Sequence, residues 1–294
     1  MESLERRREQ RARVLFALPF LMPLFVFWFV PLVVGFGISF TDWDYISPHA
    51  RFVGLENYRD MLLGRDFGAA LKNTVVFGLG SIVSTMVLGL VFALMLQGTF
   101  SGSKMYQRII FSPWITPAVA LSLVWSWIYD PDRGFANFVL DLFGISPLRW
   151  LQSSETAMLA IIIFTVWKSI GWTMLFYIGA LERVPRGVEE AARIDGAGYL
   201  ARLFRITIPL ISPTTYFLFV INLITSIQVY DQIRIMTQGG PGRSTTTLLY
   251  LYYDKAFQNF QMGPASVVAI AILFITVALS LVSTRLGRDH VHYA

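Results

Sequence analysis

The sequence contains no cysteine and only three histidines, His49, His290 and His292, one in a loop and two near the carboxy terminus. Disulfides, thiolate catalysis and Cys-ligated metals are therefore excluded, and no histidine cluster is at hand for a metal or for acid–base chemistry. Charge is scarce too: Asp, Glu, Lys and Arg make up 15% of 294 residues, where soluble domains carry about a quarter. No G-x-x-x-x-G-K-[S/T] phosphate loop occurs. The nearest stretch, Gly98 to Met105, ends in Lys-Met and lacks both the final hydroxyl and the strand–helix setting. No Ser-, Gly- or Pro-rich linker divides the chain, and no repeat of fixed period stands out.

What the sequence has instead is long apolar runs, with 55% hydrophobic residues and a mean hydropathy of +0.56. A bilayer core about 30 Å thick needs roughly 20 consecutive apolar helical residues, and six runs meet that length: 14–40, 73–97, 109–129, 156–181, 206–230 and 262–284. The first carries no charge but includes Pro19, Pro23 and Pro31, which membrane helices tolerate when neighbours satisfy the freed carbonyls. It follows five arginines, as a signal peptide would, yet it is too long and lacks a small-x-small cleavage site, so an uncleaved first helix is expected.

The expected fold class is an all-α membrane protein of six transmembrane helices. It divides into a basic cytoplasmic segment 1–13, a membrane domain 14–284 and a cytoplasmic tail 285–294. With the amino terminus inside, the cytoplasmic segments hold fourteen Lys and Arg against nine outside, so both termini are expected in the cytoplasm. The basic pI reflects these loops and not a nucleic-acid platform. In the outer segment 132–150, Phe135, Phe138, Val139, Leu142 and Phe143 share one helical face. Two placements fit: along the membrane interface, or across the outer mouth of the bundle.

The cytoplasmic segment 182–208 is the most informative. Pro185 suits the first turn of a short helix reaching about Ile194, and Glu189 and Glu190 lie near its start, where negative charge meets the helix dipole. Asp195 and Gly196 break that helix, Gly by a left-handed turn and Asp as a cap for a second helix over about 198–205. Ala191 and Ala192 are small enough for another backbone to approach. Glu190-Ala191-Ala192, Asp195-Gly196-Ala197, Phe204, Ile206, Pro209 and Pro213 together resemble the EAA loop of ABC importer permeases. Phe52-Val53-Gly54-Leu55-Glu56-Asn57-Tyr58 is similar to the Phe-x-Gly-Leu-x-Asn-Tyr signature of the maltose-type and glycerol-phosphate-type branch, as is Thr237-Gln238-Gly239-Gly240-Pro241-Gly242.

The resemblance implies a type I importer permease fold in its minimal six-helix form, in a bacterial or archaeal cytoplasmic membrane, without catalytic residues or a cofactor of its own. It implies four kinds of partner: a second homologous permease, two nucleotide-binding subunits that carry ATP and Mg, an extracytoplasmic solute-binding protein, and membrane lipid. Glu189, Glu190, Ala191, Ala192, Asp195, Gly196 and Ala197 would couple the permease to the ATPase, and Gly239, Gly240, Pro241 and Gly242 would meet the binding protein. No metal site is expected.

Lys168 is the sole charge within a predicted span, and a charge there costs about 2.5–3.5 kcal/mol on insertion scales unless it faces protein or water. With Trp172, Asn222, Thr225 and Ser226 it forms the candidate solute pathway, an aromatic plane beside hydrogen-bonding groups that suits a sugar. The same polar groups could equally bond across helices without a ligand. A cation also suits phosphate, so a glycerol-phosphate ester is the alternative solute, and Lys168 could pair with a partner permease's carboxylate. A secondary transporter is the more distant alternative, but it would call for embedded carboxylates, and no span carries Asp or Glu in its middle.

Overall fold

The computed structural model describes residues 16, 18–98 and 102–288, the last three as backbone only. The basic segment 1–13 and residues 289–294 of the expected tail lie outside the described residues. In chain order the helices are α1 (Leu18–Ile38), α2 (Glu56–Leu62), α3 (Arg65–Leu96), α4 (Ser103–Ile115), α5 (Ala118–Ile128) and α6 (Phe135–Leu142). They continue with α7 (Ala157–Leu181), α8 (Arg186–Ile194), α9 (Tyr199–Leu210), α10 (Ser212–Ile227), α11 (Asp231–Met236), α12 (Leu248–Tyr253) and α13 (Met262–Arg288). Among the described residues the only β pairing is a bridge between Thr41 and Phe52.

Four helices, α1, α3, α7 and α13, are each long and apolar enough to cross a bilayer. The other two expected spans are not continuous. Residues 109–129 fall on α4 and α5, bent by 102°, and residues 206–230 on α9 and α10, bent by 66°. Proline explains both breaks, since Pro117 and Pro213 have no N–H for the carbonyls four residues earlier, Pro113 and Pro209. Helix α3 starts at Arg65, eight residues before its apolar run, because polar residues mark the edge of the hydrocarbon layer without ending a helix.

The chain divides into two units. The first comprises residues up to Gly64 together with Tyr252–Ala271. Its α1 buries none of its apolar stretch within the chain. The turn after α1 is held by the Phe-x-Gly-Leu-x-Asn-Tyr segment: Asn57 Nδ2 donates to the carbonyls of Ser39 and Thr41 at 2.8 and 2.7 Å, and the Tyr58 hydroxyl lies 2.7 Å from Ser39 Oγ. At Gly263 a Cβ would collide with the Thr41 carbonyl and crowd Asn57 Nδ2, so only glycine lets α13 pass here. Asn57→Ala leaves two turn carbonyls without their donor, and a loss of about 1–3 kcal/mol is expected. Thermal unfolding in detergent measures it, and an unchanged midpoint would deny the amide this role.

The second unit comprises Arg65–Leu251 with the residues from Ile272 on. Helices α3 and α7 pack along their lengths, with Phe77, Phe164, Met174 and Tyr177 buried. Small residues allow the close crossings expected between membrane helices. Gly89 lies under Thr173, and Gly171 lies against the α4 backbone at Ile110 and Phe111. At the end of α5, Asn137 of α6 is buried, donating to the carbonyls of Pro131 and Leu148 and accepting from Trp150 Nε1 at 2.8 Å. Phe135, Phe138, Leu142 and Phe143 are left exposed. The apolar face of α6 is therefore not buried within this chain.

Candidate functional site

The corner between α4 and α5 sets one wall of the site. Backbone carbonyls at bilayer depth need donors, and the corner frees several. Ser112 Oγ donates to the Ile109 carbonyl, which Pro113 cannot serve, and Thr116 Oγ1 donates to the Ser112 carbonyl. The carbonyls of Pro113 and Trp114 receive Lys168 Nζ from α7, at 3.2 and 3.1 Å. The ammonium also lies 5.4 Å from the centre of the Trp114 ring, and Trp114 stacks on Trp172 at 5.3 Å between centroids. One lysine thus serves the Pro113 carbonyl, for which Pro117 has no N–H, and the Trp114 carbonyl, left open where the helix ends before Ala118, at the negative end of α4's dipole.

Behind this wall lies a cavity of about 350 Å³, within the size range of small-molecule sites. All five expected solute-pathway residues line it: Lys168 and Trp172 from α7, and Asn222, Thr225 and Ser226 from α10. Sequence reasoning did not assign Ser81, Thr85, Trp114, Asp231 and Gln232, which also line it. Ser81 and Thr85 stand four apart on α3, a signal shared with any hydroxyl that bonds its own helix, as Ser81 does to the Phe77 carbonyl at 2.7 Å. Gln232 reaches Thr165 Oγ1 at 3.2 Å. The charged groups of the lining are Lys168 and Asp231, so its formal charge sums to zero. Stacked indoles with hydrogen-bonding groups can hold a small polar molecule; among the described residues no cluster could hold a metal ion.

Helix α8 carries the second candidate site. The turn after it is a left-handed glycine cap: Gly196 has φ +80°, its N–H donates to the Arg193 carbonyl at 3.1 Å, and the Ala197 N–H donates to the Ala192 carbonyl at 2.9 Å. Asp195 closes α8 and does not cap the next helix, as the sequence had suggested. Gly198 takes that position, without a side-chain hydrogen bond. Glu190, Ala191, Asp195 and Gly196 are exposed, while Glu189, Ala192 and Ala197 are half-buried. Sequence reasoning did not foresee the exposure of the apolar residues beside them: Ile194 is 87% exposed, with Tyr199, Leu200 and Phe204 also open. Together they form an exposed apolar rim across α8 and the start of α9.

The Gly-Gly-Pro-Gly loop is held from beneath. Thr245 and Thr246 hydroxyls donate to the carbonyls of Gly240 and Gly239 at 2.7 and 3.0 Å, and Asn73 Nδ2 of α3 donates to those of Arg243 and Thr246. Asp66 forms an ion pair with Arg243. Gly239, at φ +80°, is buried where a Cβ would strike the Tyr250 ring, so of the four expected contact residues it builds the loop instead of facing outward. Gly240 and Pro241 are half-buried, Gly242 is exposed, and the accessible tip is Pro241, Gly242 and Arg243.

Comparison with known proteins gives concordant results. The family described as "Binding-protein-dependent transport system inner membrane component" matches residues 85–289. The trehalose/maltose transport system permease protein MalF of Thermococcus litoralis is 32% identical over 284 residues, covering 96% of this chain and 95% of the relative. The sn-glycerol-3-phosphate transport system permease protein UgpA of Escherichia coli is 31% identical over 277 residues, covering 94% and 93%. Among solved structures, a bacterial ABC transporter that imports the acidic polysaccharide alginate has a chain sharing the fold at TM-score 0.83 and 21% identity, over 98% of this chain and 99% of that one.

Proposed function

The chain belongs to the family of binding-protein-dependent transport system inner membrane components, a transport component and not an enzyme, and on that premise we propose that it forms the translocation pathway of an ABC importer for a sugar. The observation that carries this reading is the polar cavity that gathers Lys168, Trp172, Asn222, Thr225 and Ser226 beside stacked indoles. In this reading ATP and Mg are bound by two nucleotide-binding subunits, which seat on the exposed face of α8 with Glu190, Ala191 and Ile194. The solute-binding protein docks at the tip of the Gly-Gly-Pro-Gly loop. Both termini lie in the cytoplasm, and the uncovered α1 packs on a second permease. Support for these partners comes from a solved alginate importer in complex with a solute-bound periplasmic protein, whose permease shares this fold.

A second reading keeps the machinery and changes the solute to a glycerol-phosphate ester; the lysine in the cavity wall and the similarity to UgpA favour it. The test is to reconstitute the chain with its co-encoded partners in proteoliposomes and follow labelled solute uptake with and without ATP. Uptake that requires ATP and the binding protein is expected. Uptake that proceeds without ATP would overturn the importer reading.

A further inference from the structure

The cavity wall distributes hydrogen-bond donors in a way that bears on which solute enters. Lys168 Nζ donates to the carbonyls of Pro113 and Trp114, the first without a helical donor because of Pro117 and the second because α4 ends before Ala118. Asn222 Nδ2 donates to the Leu218 carbonyl at 2.8 Å, Thr225 Oγ1 to the Ile221 carbonyl at 3.0 Å, and Ser226 Oγ to the Leu223 carbonyl at 2.8 Å. Thr165 Oγ1 likewise donates to the Ile161 carbonyl at 2.8 Å. The hydroxyls of Thr225 and Ser226 turn their protons to their own backbone and leave acceptor lone pairs to the cavity, beside the Asn222 amide oxygen and the Asp231 carboxylate. Asp231 is exposed to the cavity and makes no side-chain hydrogen bond or ion pair among the described residues.

An anionic solute would face the Asp231 carboxylate, while the lining's one cation, Lys168, is held in the wall by two backbone carbonyls. A polyol or saccharide brings hydroxyl donors of its own, and its apolar ring face suits the stacked pair Trp114 and Trp172. Breaking the hold of Lys168 would instead free two carbonyls at bilayer depth and release the corner that sets Trp114 on Trp172.

We infer that Lys168 is a positioning residue that replaces the donors lost by the Pro113 and Trp114 carbonyls at the corner, and that the cavity it shapes selects uncharged, hydroxyl-rich solutes over anionic ones. This inference rests on the importer reading above.

The test uses the complete importer in proteoliposomes with its own binding protein, presenting trehalose and maltose as neutral probes and sn-glycerol 3-phosphate as the anionic one. A neutral probe is expected to raise ATP hydrolysis at least about tenfold more than the phosphate ester does, the ratio that 1.4 kcal/mol of differential binding produces. Lys168→Met is expected to lower kcat for the neutral probe about tenfold with little change in KM. Lys168→Arg, which keeps two donors, should stay within about threefold of the native chain. Adding Pro117→Ala to Lys168→Met returns an N–H to the Pro113 carbonyl and should recover part of the loss; this pair also guards against a single variant that fails to fold.

Stimulation by sn-glycerol 3-phosphate that Lys168→Met abolishes would overturn the inference and make the lysine a phosphate ligand, while leaving the importer reading intact. So would a Lys168→Met effect confined to KM. ATP-independent uptake would instead sink the importer reading on which the inference stands.

Discussion

Replacing Glu190 by lysine is expected to leave the permease folded in the membrane while lowering solute-stimulated ATP hydrolysis of the assembled importer on the order of thirtyfold. Glu190 is exposed near the start of α8, so its removal touches no core, and exposed substitutions of this kind stay within about 0.5 kcal/mol of native stability. What changes is the sign of a charge between small residues and an open apolar rim formed by Ile194 and Leu200. At a docked surface that excludes water, a wrong charge leaves its counterpart unpaired, and such losses run to about 2–5 kcal/mol, of which about 2 corresponds to the thirtyfold figure. Co-purification of the nucleotide-binding subunits and ATP hydrolysis with saturating binding protein check the two halves separately. Full stimulation in the variant would remove α8 from the coupling path.

Gly171→Leu should have the larger structural effect. A side chain at this position would press on the Ile110 carbonyl, and even its Cβ would lie 2.6 Å from Phe111 Cα. The obstacle is backbone, which cannot rotate away as a side-chain tip could, so α4 and α7 must separate. Overpacking typically costs about 1–3 kcal/mol and more where backbone has to shift. Separation would also draw Lys168, three residues away on α7, from the carbonyls of Pro113 and Trp114. The expected result is severe loss of folded protein, read as abundance and as a size-exclusion profile in detergent. Gly179→Ala is the control, because a Cβ there meets nothing within 4 Å. A native profile for Gly171→Leu would contradict the close crossing.

Apolar run length was enough to locate the spans, because hydrocarbon thickness selects for it directly. It could not reveal the corners, since a bent pair and a straight helix bury the same residues in lipid. Pro113 and Pro117, four apart, were visible in the sequence, but the lysine that compensates for them lies more than fifty residues further on and is brought near only by the packing of α7. The segment of α8 and α9 was legible down to its glycine turn, a local device written in adjacent residues. Its apolar rim was not, because Ile194, Tyr199 and Leu200 read as ordinary helix residues until their exposure is seen. In the cavity, Asn222, Thr225 and Ser226 share one helical face and could be grouped in advance. Ser81, Thr85, Trp114 and Gln232 join them from other helices, and no spacing along the chain relates them.

The corner between α4 and α5 also constrains how the chain is made. The donor to the Pro113 carbonyl lies 55 residues downstream, and that to the Trp114 carbonyl 54. Both α4 and α5 precede Lys168 in synthesis, and the lipid interior offers those two oxygens no substitute. The bent pair therefore has no finished resting state in the bilayer until α7 arrives beside it. Insertion of this stretch is therefore expected to be a joint event of three helices, and a chain truncated before Lys168 should insert α4 and α5 less completely than one truncated after α7.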